Sequence, residues 1–131
     1  MIGLDTNVLL RAVTQDDPVQ SPLARTLIGT LDEASPGYVN VVVLVEFSWS
    51  LRTRYKYERG AIFETVETLL QSAAFVVSDR DAVNAALSRS RDEGLHFADA
   101  LIGELNRIAG CRTTITFDKP ASKRTAFTHL A

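Results

Sequence analysis

Residues 1–10 read MIGLDTNVLL, and this short stretch indicates the fold class more clearly than any other. Its apolar start predicts a short buried strand, which ends where the polar residues 5–7 begin. A helical pattern follows at once over residues 8–13, and Asp5 or Thr6 is well placed as the N-cap of that helix. A buried strand that passes directly into a helix is the first unit of an α/β fold.

The same alternation of strands and helices continues along the chain. Further strands are predicted at residues 38–40, 75–77 and 113–117, and helices lie around residues 23–31, 41–55, 62–70, 82–94 and 96–109. The helix at 41–55 is the least obvious, because its opening valines favour a strand while its length favours a helix; Gly60 is predicted to separate it from the next. Short buried strands between helices predict an α/β domain with a parallel sheet covered on both faces, and 131 residues fit a single domain over 1–131.

Composition and charge exclude several functional classes. The net charge is −2, which argues against a protein that coats nucleic acid through charge alone, although it leaves room for a local basic rim. Cys111 is the only cysteine, so an internal disulfide is excluded, and we expect an intracellular, cytoplasmic protein. The longest uncharged run, residues 34–45, is too short to span a bilayer, and the first residues show no signal-peptide pattern.

Four acidic residues fall where an α/β sheet binds its ligands, which is at the carboxyl ends of its strands. Asp5 directly follows the first predicted strand, and Asp118 directly follows the last. Glu46 lies one to two turns into the helix after the second strand, and Asp99 lies in the first turn of its helix. All are compatible with one rim of one sheet, although Asp5 and Asp118 have an alternative interpretation as helix caps and Asp99 as an acid favoured by the helix dipole.

Glu46 is the acid that the sequence alone explains least easily. It lies within residues 41–49, which are mostly apolar, so its carboxylate is either on a narrow exposed stripe or buried with a partner. The nearest basic residues, Arg52 and Arg54, are six and eight positions away, not the three or four that would pair them on a helix. A cation shared with the other acids is the simplest compensation. Oxygen ligands without Cys or His favour Mg²⁺ or Mn²⁺, and these ions commonly support phosphodiester cleavage.

The contexts of these acids resemble the four motifs of the PIN-domain ribonucleases, and in particular of the VapC-type toxins of bacterial toxin–antitoxin pairs. Residues 4–11 (LDTNVLLR) with 16–18 (DDP) resemble the first motif, and residues 44–52 (LVEFSWSLR) resemble the second. Residues 97–102 (FADALI) and 116–119 (TFDK) resemble the third and the fourth. The motifs stand in the family's order and span nearly the whole chain.

The resemblance implies a three-layer α/β/α sandwich around a central parallel sheet. It implies that the four acids are both the metal-binding and the catalytic residues, namely Asp5, Glu46, Asp99 and Asp118. Asn7 and Thr116 are then polar supports of the site. The implied activity is Mg²⁺- or Mn²⁺-dependent hydrolysis of RNA, by a homodimer that a cognate antitoxin protein inhibits. One departure is Asn40, where relatives often carry Ser or Thr, and this leaves any supporting role of that position open.

Basic side chains near these motifs are candidates for RNA contact. Arg52, Arg54 and Lys56 lie in a basic stretch with two tyrosines, which either grips the RNA backbone or is simply the solvated end of a helix. Lys119 directly follows the last of the motif acids and is a further candidate. Trp49 is expected in the core.

Two other functional classes remain open. A signalling receiver domain has a similar size and topology, but it needs paired acids after the first strand and a phosphoacceptor aspartate after the third. Here Asp5 stands alone, and Asp79 is a weak candidate for the acceptor. A non-catalytic nucleic-acid-binding module that uses its acids structurally is the second alternative, and metal binding distinguishes it from a nuclease.

Overall fold

The computed structural model describes residues 1–118 and 126–130, and the chain divides into two compact units. The first unit, Met1–Asp79, contains β1 (Ile2–Gly3), α1 (Thr6–Thr14), α2 (Gln20–Gly29), β2 (Gly37–Val39), α3 (Val41–Thr53), α4 (Arg59–Gln71) and β3 (Phe75–Val77). The second unit, Arg80–Ala131, contains α5 (Arg80–Glu93), α6 (Phe97–Ile108), β4 (Thr114–Thr116) and β5 (Phe127–His129). Within the described part of the chain, no helix is both long and apolar enough to cross a membrane.

A three-stranded parallel sheet organises the first unit, with β2 in its centre. Gly37 of β2 pairs with Ile2 of β1 and with Phe75 of β3, which sets the register of the sheet. Parallel strands run in the same direction, so the residues that follow β1 and β2 lie at one edge of this sheet. Asp5 comes after β1 and α3 comes after β2, and the sheet therefore brings Asp5 and the start of α3 to the same edge.

Helix α3 forms although it opens with three valines, because both its start and its packing favour a helix. Asn40 is its N-cap, and the Asn40 Oδ1 accepts a hydrogen bond from the backbone N–H of Val43 at 3.0 Å. Leu44 and Phe47 are completely buried on one side of the helix. The predicted helix is confirmed, and Asn40 has a clear local role in starting it.

The second unit combines the packed helices α5 and α6 with a two-stranded parallel sheet of β4 and β5. Thr114 of β4 pairs with Phe127 of β5. The Phe127 side chain is buried, and a Cβ added at Gly103 of α6 would lie only 3.1 Å from its ring. Glycine at position 103 therefore lets Phe127 approach the helix closely. The sequence does not predict β5, because Phe127 is its only buried residue.

The structure confirms the α/β class, since each strand pair in the described residues is parallel. These strands form two sheets, with one sheet in each unit. Three local expectations are wrong. Strand β1 is not buried, because both of its residues are exposed. Gly60 lies inside α4, and α3 and α4 are separated instead by residues 54–58, where Lys56 has a φ of 60°. Trp49 is not in the core, because it is 57 % exposed on α3.

Candidate functional site

Asp5 lies between β1 and α1, where it occupies the N-cap position of α1. Its backbone is extended (φ −83°, ψ 159°), as at most N-caps, and aspartate is among the residues that cap helices best. The Asp5 side chain nevertheless makes no capping hydrogen bond, and the residue is exposed. The predicted N-cap position of Asp5 is therefore confirmed, but its carboxylate is not engaged by the helix that follows it.

Glu46 lies on α3, and its carboxylate has a partner from α1. The hydroxyl of Thr6 donates a hydrogen bond to Glu46 Oε1 at 3.0 Å, between residues 40 positions apart in the sequence. Glu46 is exposed, on a stripe of α3 that also carries the exposed side chains of Val42 and Trp49. Of the two expected settings, the exposed stripe is the correct one. Burial therefore does not oblige Glu46 to share a cation.

Thr6 is a functional candidate that the sequence does not predict, because its pattern indicates only a helix cap. Thr6 is buried, with 8 % of its surface exposed. Among the described residues, its hydroxyl is the one donor to the Glu46 carboxylate. A buried, short side chain holds its hydroxyl in one place, so Thr6 orients Glu46. The signal in the sequence is limited to the position of Thr6 directly after Asp5, because Glu46 lies 40 positions away.

The second unit contains the other two acids. Asp99 lies in the first turn of α6, and His96 is the N-cap of that helix but makes no capping hydrogen bond with its side chain. Asp118 follows β4 and is exposed. The backbone N–H of Asp118 donates to Thr116 Oγ1 at 3.0 Å, so Thr116 holds the chain at the point where the strand ends.

The acids in each unit fit a hard divalent cation by their chemistry, because carboxylate oxygens are the ligands that Mg²⁺ and Mn²⁺ prefer. In the first unit, Asp5 and Glu46 are both exposed and are linked through Thr6, which follows Asp5 in the chain and bonds Glu46. Within neither unit do the described residues include a group of three or more His, Cys, Asp and Glu side chains placed to hold a metal ion. The fit therefore rests on the donor type and on the link between Asp5 and Glu46 through Thr6.

A polar network joins the end of α1 to the end of α3. Asp16 accepts hydrogen bonds from the Tyr55 hydroxyl at 2.7 Å, from Thr14 Oγ1 at 2.9 Å and from Arg11 Nη1 at 2.9 and 3.0 Å. These donors, with Tyr55 contributing most, lower the pKa of Asp16 to about 2. Hydrogen bonding to Asp16 in turn raises the pKa of Arg11. The network fixes the position of Tyr55, which lies in the basic stretch after α3.

The basic stretch itself is exposed. Arg52, Arg54 and Lys56 all face solvent, and the Arg54 guanidinium lies 5.3 Å from the centroid of the Tyr55 ring. Because Tyr55 is bonded through its hydroxyl to Asp16, these cations extend from an anchored point rather than from a free helix end. Lys119, the remaining candidate for RNA contact, lies outside the described residues.

The network predicts a dependence of stability on pH. Ionised Asp16 stabilises the fold above its ordinary pKa of 3.8, and this contribution is lost as the pH falls towards the native pKa of about 2. We expect Asp16→Asn to lower the unfolding midpoint in urea at pH 7, and the gap from the wild type to narrow progressively between pH 5 and pH 2. The exposed Asp92→Asn serves as the charge-matched control. A gap of constant size over this range would contradict the prediction.

A comparison with known protein families identifies this chain. The model of the PIN domain matches residues 2–127, which is nearly the whole chain, and the protein therefore belongs to the PIN domain family. A search of the curated proteins finds no match.

Membership of this family defines the class of protein. PIN domains are a nuclease fold that generally acts on RNA with the help of divalent metal ions, so the broad expectation of a nuclease is confirmed. The match also argues against the receiver-domain alternative, which required Asp79 as a phosphoacceptor. In the structure Asp79 has a φ of 50°, in a turn that precedes α5.

Proposed function

We propose that this PIN-domain protein is a Mg²⁺- or Mn²⁺-dependent endoribonuclease, and that it is the toxin of a VapC-type toxin–antitoxin pair. The observation that carries the proposal is the arrangement of Asp5 and Glu46 in the first unit. Asp5 occupies the N-cap position of α1, but its side chain makes no capping hydrogen bond. Glu46 is oriented by the buried hydroxyl of Thr6. The Asp5 carboxylate makes no capping bond and the Glu46 carboxylate is held by Thr6, so both are placed to bind a metal ion at the carboxyl edge of the parallel sheet.

We assign metal binding and catalysis to Asp5, Glu46, Asp99 and Asp118. A divalent ion held by such carboxylates supplies an activated water and stabilises the charge that develops on phosphate oxygens. Thr6 orients Glu46, and Thr116 fixes the backbone at Asp118. Asn7 is exposed beside these elements and is the second polar support in this assignment.

The substrate in this proposal is a single strand of RNA. Arg52, Arg54 and Lys56 are exposed cations that suit contact with backbone phosphates, and Lys119 is assigned the same role from its place in the sequence. Because these contacts are electrostatic, RNA affinity is expected to fall steeply with salt.

The partners in this proposal are a second copy of the chain and a cognate antitoxin protein. Val42 and Trp49 are exposed apolar side chains on one stripe of α3, and Leu23 is exposed on α2, and we assign the protein partners to these surfaces. The family match runs through both units, which supports a single domain over residues 1–131. The lone Cys111 supports a cytoplasmic location.

The proposal is tested by activity in the test tube and in cells. Purified protein with Mn²⁺ or Mg²⁺ is expected to cut single-stranded RNA at internal positions, and excess EDTA is expected to stop it. Induced expression should arrest growth, whereas Asp5→Asn should permit it, with Asp92→Asn as the matched control that still arrests growth. Protein that cuts no RNA with either ion, or an Asp5→Asn variant that remains fully toxic, would overturn the proposal.

A further inference from the structure

A second polar site lies within the second unit, where a cavity of about 100 Å³ opens between the end of α6 and the start of β4. Three arginines from three different parts of the unit line this cavity, namely Arg89 of α5, Arg107 of α6 and Arg112 of the turn before β4. Thr114, the first residue of β4, adds a hydroxyl to the lining. The function proposed for this protein uses none of these residues.

A buried carboxylate holds two of the arginines in place. Glu104 of α6 is only 2 % exposed, and its Oε2 accepts hydrogen bonds from Arg107 Nε and Nη2 at 3.0 and 2.9 Å. Its other oxygen, Oε1, forms an ion pair with Arg89 Nε. Since an arginine fork is planar and rigid, two such contacts fix the direction in which its remaining N–H groups point. The guanidinium groups of Arg89 and Arg107 are therefore preorganised before any ligand arrives.

The lining carries more positive charge and more donors than its own acids use. Arg89 also pairs with Glu93 at 3.3 Å. Counted over the described residues, three guanidinium groups face two carboxylates, which leaves a surplus of one positive charge. Among the described residues, no ion pair or hydrogen bond is recorded for Arg112, which is exposed at the rim with five N–H donors of its own.

The hydroxyl of Thr114 adds one more donor to this surplus. Its oxygen accepts a hydrogen bond from Asn106 Nδ2 at 3.0 Å, which leaves its proton for another acceptor. Among the described lining residues, the side chains thus offer more donors than Glu93 and Glu104 use. Such a lining suits an anion with several oxygen atoms.

We propose that this cavity is a binding site for a single phosphate group. Guanidinium forks match the oxygens of phosphate two at a time, and the surplus positive charge favours an anion over a neutral ligand. The cavity is well below the 300–1,000 Å³ that is typical of sites for whole drug-sized ligands, so it accepts the phosphate and excludes an attached base from its interior.

Within the second unit, this site is separate from the two acids assigned to catalysis, Asp99 and Asp118. Arg107 lies eight positions after Asp99 on α6, which at 1.5 Å per residue places the two about 12 Å apart along the helix axis. Arg112 precedes β4, whereas Asp118 follows it. Within the second unit, the phosphate site and the catalytic acids therefore lie at opposite ends of the same helix and strand.

Inorganic phosphate titrated into the purified protein tests the site directly. At constant ionic strength set with chloride, we expect saturable binding of one phosphate by calorimetry, weakened at least tenfold in Arg112→Ala. Because Arg112 is exposed and makes no contact with Glu104, its removal should leave the melting temperature without phosphate unchanged. Arg91→Ala, an exposed arginine on α5 outside the cavity, is the charge-matched control and should bind as the wild type does.

A second experiment, with RNA, distinguishes a phosphate of an RNA backbone from a free phosphate compound as the ligand. This experiment rests on the proposed nuclease function. In an Asp5→Asn background that spares the RNA, Arg112→Ala should weaken binding and make its salt dependence shallower if the ligand is an RNA backbone phosphate. Unchanged RNA affinity together with lost phosphate binding identifies a free phosphate compound as the ligand. Phosphate that binds no better than chloride, or equally well to Arg112→Ala, would overturn the proposal whether or not the protein cuts RNA.

Discussion

Glu46→Gln is expected to lower the rate of RNA cleavage by at least about 100-fold. The change removes the charge that attracts a divalent ion while it keeps the size of the side chain, and a divalent ion contributes several kcal/mol to stabilising developing charge. Glu46 is exposed, so the fold should persist and the melting temperature should change little. Initial rates with a labelled RNA, with Mn²⁺ titrated to saturation, measure both the loss in rate and the loss in metal affinity.

Matched variants separate this effect from general damage. Glu33→Gln alters another exposed glutamate of the first unit and should leave the rate unchanged. Thr6→Val removes only the hydroxyl that orients Glu46, and the loss of such a supporting contact typically costs about 10–100-fold in metal affinity or activity. Thr6→Ser should restore most of it, because the hydroxyl returns. Full activity in Glu46→Gln would contradict its catalytic assignment, and a Thr6→Val variant with normal Mn²⁺ affinity would contradict the orienting role.

Arg89→Met is expected to cost the largest amount of folding free energy among exchanges of charged residues, about 3 kcal/mol. The variant leaves the Oε1 of buried Glu104 without its ion pair, and only Arg107, which is 59 % exposed, still pairs with that carboxylate. An uncompensated buried charge is far more costly than a lost surface pair. Urea unfolding followed by circular dichroism provides the difference in free energy.

The double variant Arg89→Met with Glu104→Met makes this test sharper. If the cost comes from a stranded carboxylate, then removing that carboxylate as well should recover more than half of the loss, since an apolar pair often replaces a buried ion pair without penalty. Arg112→Met, which alters an exposed arginine of the same unit, is the control and should stay within about 0.5 kcal/mol of the wild type. A single variant that loses less than about 1 kcal/mol would show that Glu104 is solvated and needs no partner.

Local patterns account for the parts of the fold that the sequence predicts. Strand β1 and helix α1 follow from residues 1–10, because a change from apolar to polar to periodic residues is readable over one short window. The helix at α3 is also predicted correctly, since its length outweighs the strand preference of its valines. The acids Asp5 and Asp118 are placed correctly at strand ends for the same local reason.

Long-range contacts account for the parts that the sequence does not predict. The bond from Thr6 to Glu46 joins residues 40 positions apart, and no periodicity marks it. Glu104 resembles any surface acid of an amphipathic helix, yet the arrival of Arg89 from α5 allows it to be buried. Trp49 is the reverse of Glu104, because it is an apolar side chain that is exposed. The burial of a large aromatic side chain depends on what packs against that side of the helix.

The central claim is that four carboxylates of this chain bind a divalent metal ion, and a crystal of the protein soaked in Mn²⁺ tests it most directly. Anomalous scattering locates manganese without reference to any assumption about its ligands. The predicted result is manganese density coordinated by Asp5, Glu46, Asp99 and Asp118. This density should be absent when crystals of the Asp5→Asn variant are soaked in the same way. Manganese bound elsewhere, or none bound at all in crystals of protein that cuts RNA in solution, would contradict the assignment.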